Sequence, residues 1–129
     1  MQPNHPPRSA RHLGAFVLTV CFVIPGVAHA DCDRAVSEAQ DIYTYARRAY
    51  NESSLDDAQS YMRRARNAAD DAKSAAEACQ CGSAASLSDD AYTFARRGYN
   101  ASDLSELKGY ARRTMRAAEE AESAARSCR

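Results

Sequence analysis

The chain has 129 residues, with 17 basic and 17 acidic side chains, three histidines and no tryptophan. A chain of this length buries one core at most, and so even a charge balance argues against a nucleic-acid-binding surface. Five cysteines in so small a chain point to covalent staples rather than a large apolar interior.

Residues 1–30 read as a cleaved signal peptide. Arg8, Arg11 and His12 give a positive start, "LGAFVLTVCFVI" (13–24) an apolar run, and "AHA" (28–30) a small-x-small cleavage site. A spanning helix needs roughly 20 apolar residues, so the run is too short to stay as an anchor. Cys21 is not a lipoprotein cysteine, because it sits inside the run behind the bulky Val20. Cleavage after Ala30 removes His5, His12 and His29 and leaves no histidine. Serine–histidine and cysteine–histidine catalysis, histidine metal sites and the usual neutral-pH general base leave with them. Carboxylates are plentiful, but nothing gathers them into a pocket. No enzyme activity and no cofactor are expected.

The remainder is one unit written twice. With an offset of 49 and no gap, residues 32–80 lie over 81–129, and 23 of the 49 pairs are identical. The organisation expected is repeat 1 over residues 31–80 and repeat 2 over 81–129, packed as one unit. Each repeat reads as two amphipathic helices. Ala35, Ala39, Ile42, Ala46 and Ala49 step by four and three. After a break, Leu55, Ala58, Met62, Ala65, Ala69 and Ala72 continue the pattern to Ala76 and Cys79. The second repeat follows with Ala84, Ser88, Ala91, Ala95 and Gly98, then Leu104, Leu107, Ala111, Thr114 and Ala118. Tyr43, Tyr50, Tyr92 and Tyr99 are expected to widen the packed surface. Nothing alternates with period two.

The breaks carry stop and start signals. Asn51 and Asn100 suit a left-handed helix stop. Ser54 and Asp103 suit N-caps, with Asp57 and Glu106 three residues on. A connection of about three residues makes each helix pair antiparallel. The same loops hold the sequons "NES" and "NAS", candidate glycosylation sites on exposed turns in a eukaryotic secretory pathway. The fold class expected is all-α: two tandem disulfide-closed antiparallel hairpins forming a four-helix up-down-up-down bundle.

Cys32, Cys79, Cys81 and Cys128 fall at helix ends away from the turns. A Cys79–Cys81 bridge would be strained, and Cys32–Cys81 would join diagonal helices, so Cys32–Cys79 and Cys81–Cys128 are expected. Each closes a loop worth about 4 kcal/mol by chain entropy. The alternative is a thiol-based metal-binding protein, in which the four clustered cysteines act as thiolate ligands. Bridged cysteines imply a periplasmic or secreted location.

Aromatic-x-Arg-Arg occurs four times: Tyr45 with Arg47 and Arg48, Tyr61 with Arg63 and Arg64, Phe94 with Arg96 and Arg97, and Tyr110 with Arg112 and Arg113. These arginines fall opposite the apolar stripe and are expected to be exposed. Measured from the turn, the first-helix doublet sits about four residues nearer than the second, about 6 Å along the axis. Two readings follow. A solvated face needs only helix propensity, the helix dipole and local pairs such as Arg66 with Asp70 or Arg116 with Glu119 or Glu120. A binding belt would use guanidinium forks and flanking rings to take an anionic ligand or an acidic envelope or extracellular protein. The belt reading makes the chain an exported non-catalytic interaction module. Residues 31–129 carry 15 basic and 17 acidic side chains, which again disfavours nucleic acid. Alanine-rich stripes needed for packing disfavour a membrane surface, and no span remains after cleavage.

Overall fold

The computed structural model describes residues 25–128. The positive start and apolar run that read as a signal peptide lie outside the described residues. Four helices follow in order: α1 (Pro25–Asn51), α2 (Leu55–Ala78), α3 (Gly82–Tyr99) and α4 (Leu104–Ser127). Among the described residues there is no strand. α1 packs along α2 and α4, α3 packs along the same two, and the diagonal pairs touch little. The result is the expected up-down-up-down square, closed by disulfides Cys32–Cys79 and Cys81–Cys128 with Cα separations of 5.4 and 5.9 Å.

Helix formation follows the alanine periodicity. Alanine is the strongest helix former and lets helices approach closely. The stripes read from the sequence are the buried faces: Ala39, Ile42, Ala46 and Ala49 on α1, Ala58, Met62, Ala65 and Ala69 on α2, Ala91 and Ala95 on α3, Leu107 and Ala111 on α4. Tyr43, Tyr50, Tyr92 and Tyr99 are half-buried and pack against this cluster. Ser88 and Thr114 enter the core without orphaned hydroxyls. Ser88 Oγ donates to the Ala84 carbonyl at 2.8 Å and Thr114 Oγ1 to that of Tyr110 at 2.9 Å. A second cluster lies under the bridges. It consists of the cysteines Cys32, Cys79 and Cys81, alanines, and Val36 as the one larger aliphatic.

Three helix ends depart from expectation. Cys32 does not open the first helix, because α1 already begins at Pro25. Proline's fixed φ suits a first helical position, and its missing N–H costs nothing there. Nor are the asparagines left-handed. Asn51 ends α1 in helical geometry, and Asn100 has φ −93° with its Nδ2 donating to the Arg96 carbonyl at 2.9 Å. The left-handed residue is Gln80, at φ 59°, between the two bridged cysteines. There Cys81 N–H donates to Ala76 O at 2.8 Å and Gln80 N–H to Glu77 O at 3.0 Å, the Schellman pattern that stops α2 and turns the chain into α3. The N-caps form as expected. Asp57 N–H donates to Ser54 Oγ at 3.4 Å, and Glu106 N–H to Asp103 Oδ1 at 2.8 Å.

Candidate functional site

The disulfides set the register of the arginines. Cys32 and Cys79 lie side by side, and so do Cys81 and Cys128. Arg47 and Arg64 each lie 15 residues from their own cysteine, as do Arg96 and Arg113. Arg48, Arg63, Arg97 and Arg112 each lie one residue further. At equal helical rise all eight stand at one level. The offset of about 6 Å expected from the turns is therefore absent. The first turn of α2 runs past the end of α1, so distance from the turn does not measure height.

All eight doublet arginines are exposed. Four lie over aromatic rings: Arg48 and Arg64 over Tyr61 at 5.9 and 5.7 Å, Arg112 over Tyr50 at 5.8 Å, and Arg113 over Phe94 and Tyr110 at 6.0 and 5.7 Å. Several of these contacts cross between helices, so the rings hold guanidinium planes over the grooves of the bundle. Among the described residues Arg47, Arg63, Arg96 and Arg97 have no ion pair and no ring contact. The rings themselves differ from the expectation of a free stacking surface. All four doublet rings are half-buried, Tyr45, Tyr61 and Phe94 packing against the core cluster.

The local pairs expected for neighbouring arginines do not form. Arg66 lies 5.4 Å over the Tyr99 ring instead of on Asp70, and Arg116 makes no ion pair with Glu119 or Glu120.

Sequence reasoning missed a second pattern. Asp41, Asp70, Asp90 and Glu119 each lie nine residues from their own cysteine, and Asp71, Asp89 and Glu120 lie eight. All are exposed. At 22 residues from their cysteines come Asp57 and Glu106, near the turns. The surface is thus banded along its axis, acid then arginine then acid, with a pitch of one heptad or about 10 Å. Counting from the cysteines would have found it. At the first acidic band Lys73 Nζ meets Asp89 Oδ1 at 3.1 Å and Gln40 Nε2 donates to Glu122 Oε1 at 2.9 Å, each tying one hairpin to the other. Burial raises the Glu38 carboxyl above its usual range, helped by Asp71 and Asp41. Hydrogen bonds from Gln40 and Arg126 lower that of Glu122.

All four cysteine sulfurs are consumed in the bridges, leaving no thiolate for a metal. Two disulfides indicate an oxidising, extracellular or periplasmic environment. Among the described residues no helix is long and apolar enough to cross a membrane. Set against known proteins, the chain matches no family model, no curated protein and no solved structure.

Proposed function

We propose that the protein is an exported, non-catalytic interaction module whose arginine belt takes an anionic ligand or an acidic protein surface in the periplasm or outside the cell. In this reading residues 1–30 are a leader removed on export. One observation carries it: eight exposed guanidiniums stand at one level, and none is neutralised by an ion pair within the described structure. Like charges gathered in this way repel one another, and an external anion relieves that repulsion. The fork geometry of arginine fits carboxylate or phosphate bidentately.

The test uses Arg47, Arg63, Arg96 and Arg97, whose removal leaves the arginine–ring contacts in place. Pull-down from an envelope extract is compared among wild type, the fourfold Gln variant and the fourfold Lys variant. Loss of a partner with Gln, and its weakening with Lys, is the expected result. An unchanged partner set in the Gln variant sinks the belt.

The thiolate metal reading survives only for a reduced chain. Titration of free thiols in protein taken from its native compartment separates the two, with none expected.

A further inference from the structure

Between α3 and α4 lies a groove of about 310 Å³, and between α1 and α2 its twin of about 220 Å³. Every residue lining one is the repeat counterpart, 49 positions away, of a residue lining the other. Asp41, Arg64 and Ala68 return unchanged as Asp90, Arg113 and Ala117. The other four positions differ. Leu87 stands for Glu38, Phe94 for Tyr45, Arg116 for Asn67 and Glu120 for Asp71. The first groove therefore carries three carboxylates and one guanidinium, and the second two of each. Relative to the first, the second floor lacks a carboxylate and a hydroxyl, and its rim carries an additional cation.

The second groove is ordered along its length. Leu87, Asp90 and Glu120 lie six to nine residues from the cysteines, and Arg116, Phe94 and Arg113 lie 12 to 15. Its acidic end is thus beside Leu87 and its basic end beside Phe94, where Arg113 lies 6.0 Å over the ring. Among the described residues none of the four rim charges is engaged in an ion pair with its neighbours. The charges of opposite sign stand about 5–10 Å apart along the axis at helical rise. Two or three extended residues of peptide span about 7–11 Å between their termini.

We propose that the α3–α4 groove binds a short zwitterionic apolar peptide of two or three residues. Its side chains rest on Leu87 and Phe94, its ammonium faces Asp90 and Glu120, and its carboxylate faces Arg113 and Arg116. A groove with an apolar floor and a few convergent polar groups is the usual form of a small-ligand site. The twin, with Glu38 in its floor and excess negative charge, rejects the same ligand's carboxylate. This inference shares the general reading of the protein as a binding module, but Leu87, Asp90, Arg116 and Glu120 lie outside the belt. A groove that binds nothing leaves the belt test untouched.

The full oxidised protein, isotope-labelled, is titrated with the dipeptide Leu-Phe and followed by NMR. Saturable shifts centred on Leu87 and Phe94 are expected, with N-acetylation or C-amidation of the probe weakening binding about tenfold. Leu87→Glu and Arg116→Asn each install the residue the first repeat already carries at the same place in the fold, and each is expected to weaken binding about tenfold. Both amide spectra should otherwise match wild type, and Arg116→Lys serves as a second rim variant that keeps the charge and most of the binding. Three results overturn the proposal: no saturable shift up to about 10 mM probe, equal affinity for the blocked probes, or wild-type affinity in both repeat-swap variants.

Discussion

At Gly98 a Cβ would lie 2.7 Å from Met62 Cε and 3.3 Å from Tyr110 Cβ. The counterparts of Gly98 and Met62 in the other repeat are Ala49 and Ala111. At several buried positions a large residue in one repeat has a small counterpart in the other: Ile42 with Ala91, Leu107 with Ala58, Thr114 with Ala65. The copies have diverged by exchanging volume, so that a near-symmetric backbone encloses an asymmetric packing. Gly98→Ala is therefore expected to cost about 1 kcal/mol net, overpacking outweighing the helix propensity gained. Met62→Ala alone should cost about 2–5 kcal/mol. In the double variant the Gly98→Ala penalty should vanish, a coupling of roughly 0.5–3 kcal/mol readable from urea unfolding of the four proteins. Additive losses would show that Met62 does not need the space.

Between elements, the readable part was the periodicity. Stripes, caps and antiparallel pairing rest on local spacing, and Ser54, Asp103 and the alanine steps carry that spacing openly. What was misread needed a partner helix. The asparagines look like left-handed stops, yet the left-handed residue is Gln80, because the bridged cysteines on either side of it force the chain to reverse there. The arginine doublets look staggered when counted from the turns and are level when counted from the cysteines. Cross-helix ring contacts, such as Arg112 on Tyr50, have no signal in one helix alone. Glu38 shows the same dependence. Its carboxyl is raised by burial first, then by Asp71 across the α1–α2 groove and Asp41 one turn on, against a weaker pull from Arg34. A carboxyl whose folded pKa exceeds its unfolded value favours the fold when protonated, and that contribution is lost as pH rises through the folded pKa. Glu122, lowered by its hydrogen bonds, does the reverse: it stabilises above its unfolded pKa and loses this as pH falls. Glu38→Gln should raise the thermal midpoint at pH 7 and Glu122→Gln should lower it. Both differences should shrink below about pH 4, where carboxyls are protonated in the unfolded chain.

Over the whole molecule, stability divides between the two ends. Away from the bridges Ile42, Met62 and Leu107 and the half-buried rings provide apolar area, whereas under the bridges Val36 is the one aliphatic larger than alanine. Alanine buries little surface, so the cystines themselves fill that end. Replacing Cys32 and Cys79 together by Ala should remove about 4 kcal/mol, measured by denaturant unfolding against the fully bridged protein. Removal of both bridges should leave a chain whose circular dichroism shows little cooperative melting at 37 °C, since small domains rarely hold that much reserve. Retention of a sharp transition would mean that the alanine seams suffice.

The acid–arginine–acid banding has a consequence for how anything charged meets this molecule. Residues 31–129 differ from neutrality by two charges, and bands of opposite sign stand about one heptad apart. At physiological ionic strength screening acts over about 8 Å, shorter than that pitch, so the bands cancel for an approaching body and reappear only on touching. Encounter is then a matter of plain diffusion, nearly indifferent to salt. Residence is not: it depends on whether the visitor's own charges repeat at the same pitch and fall into step along the axis.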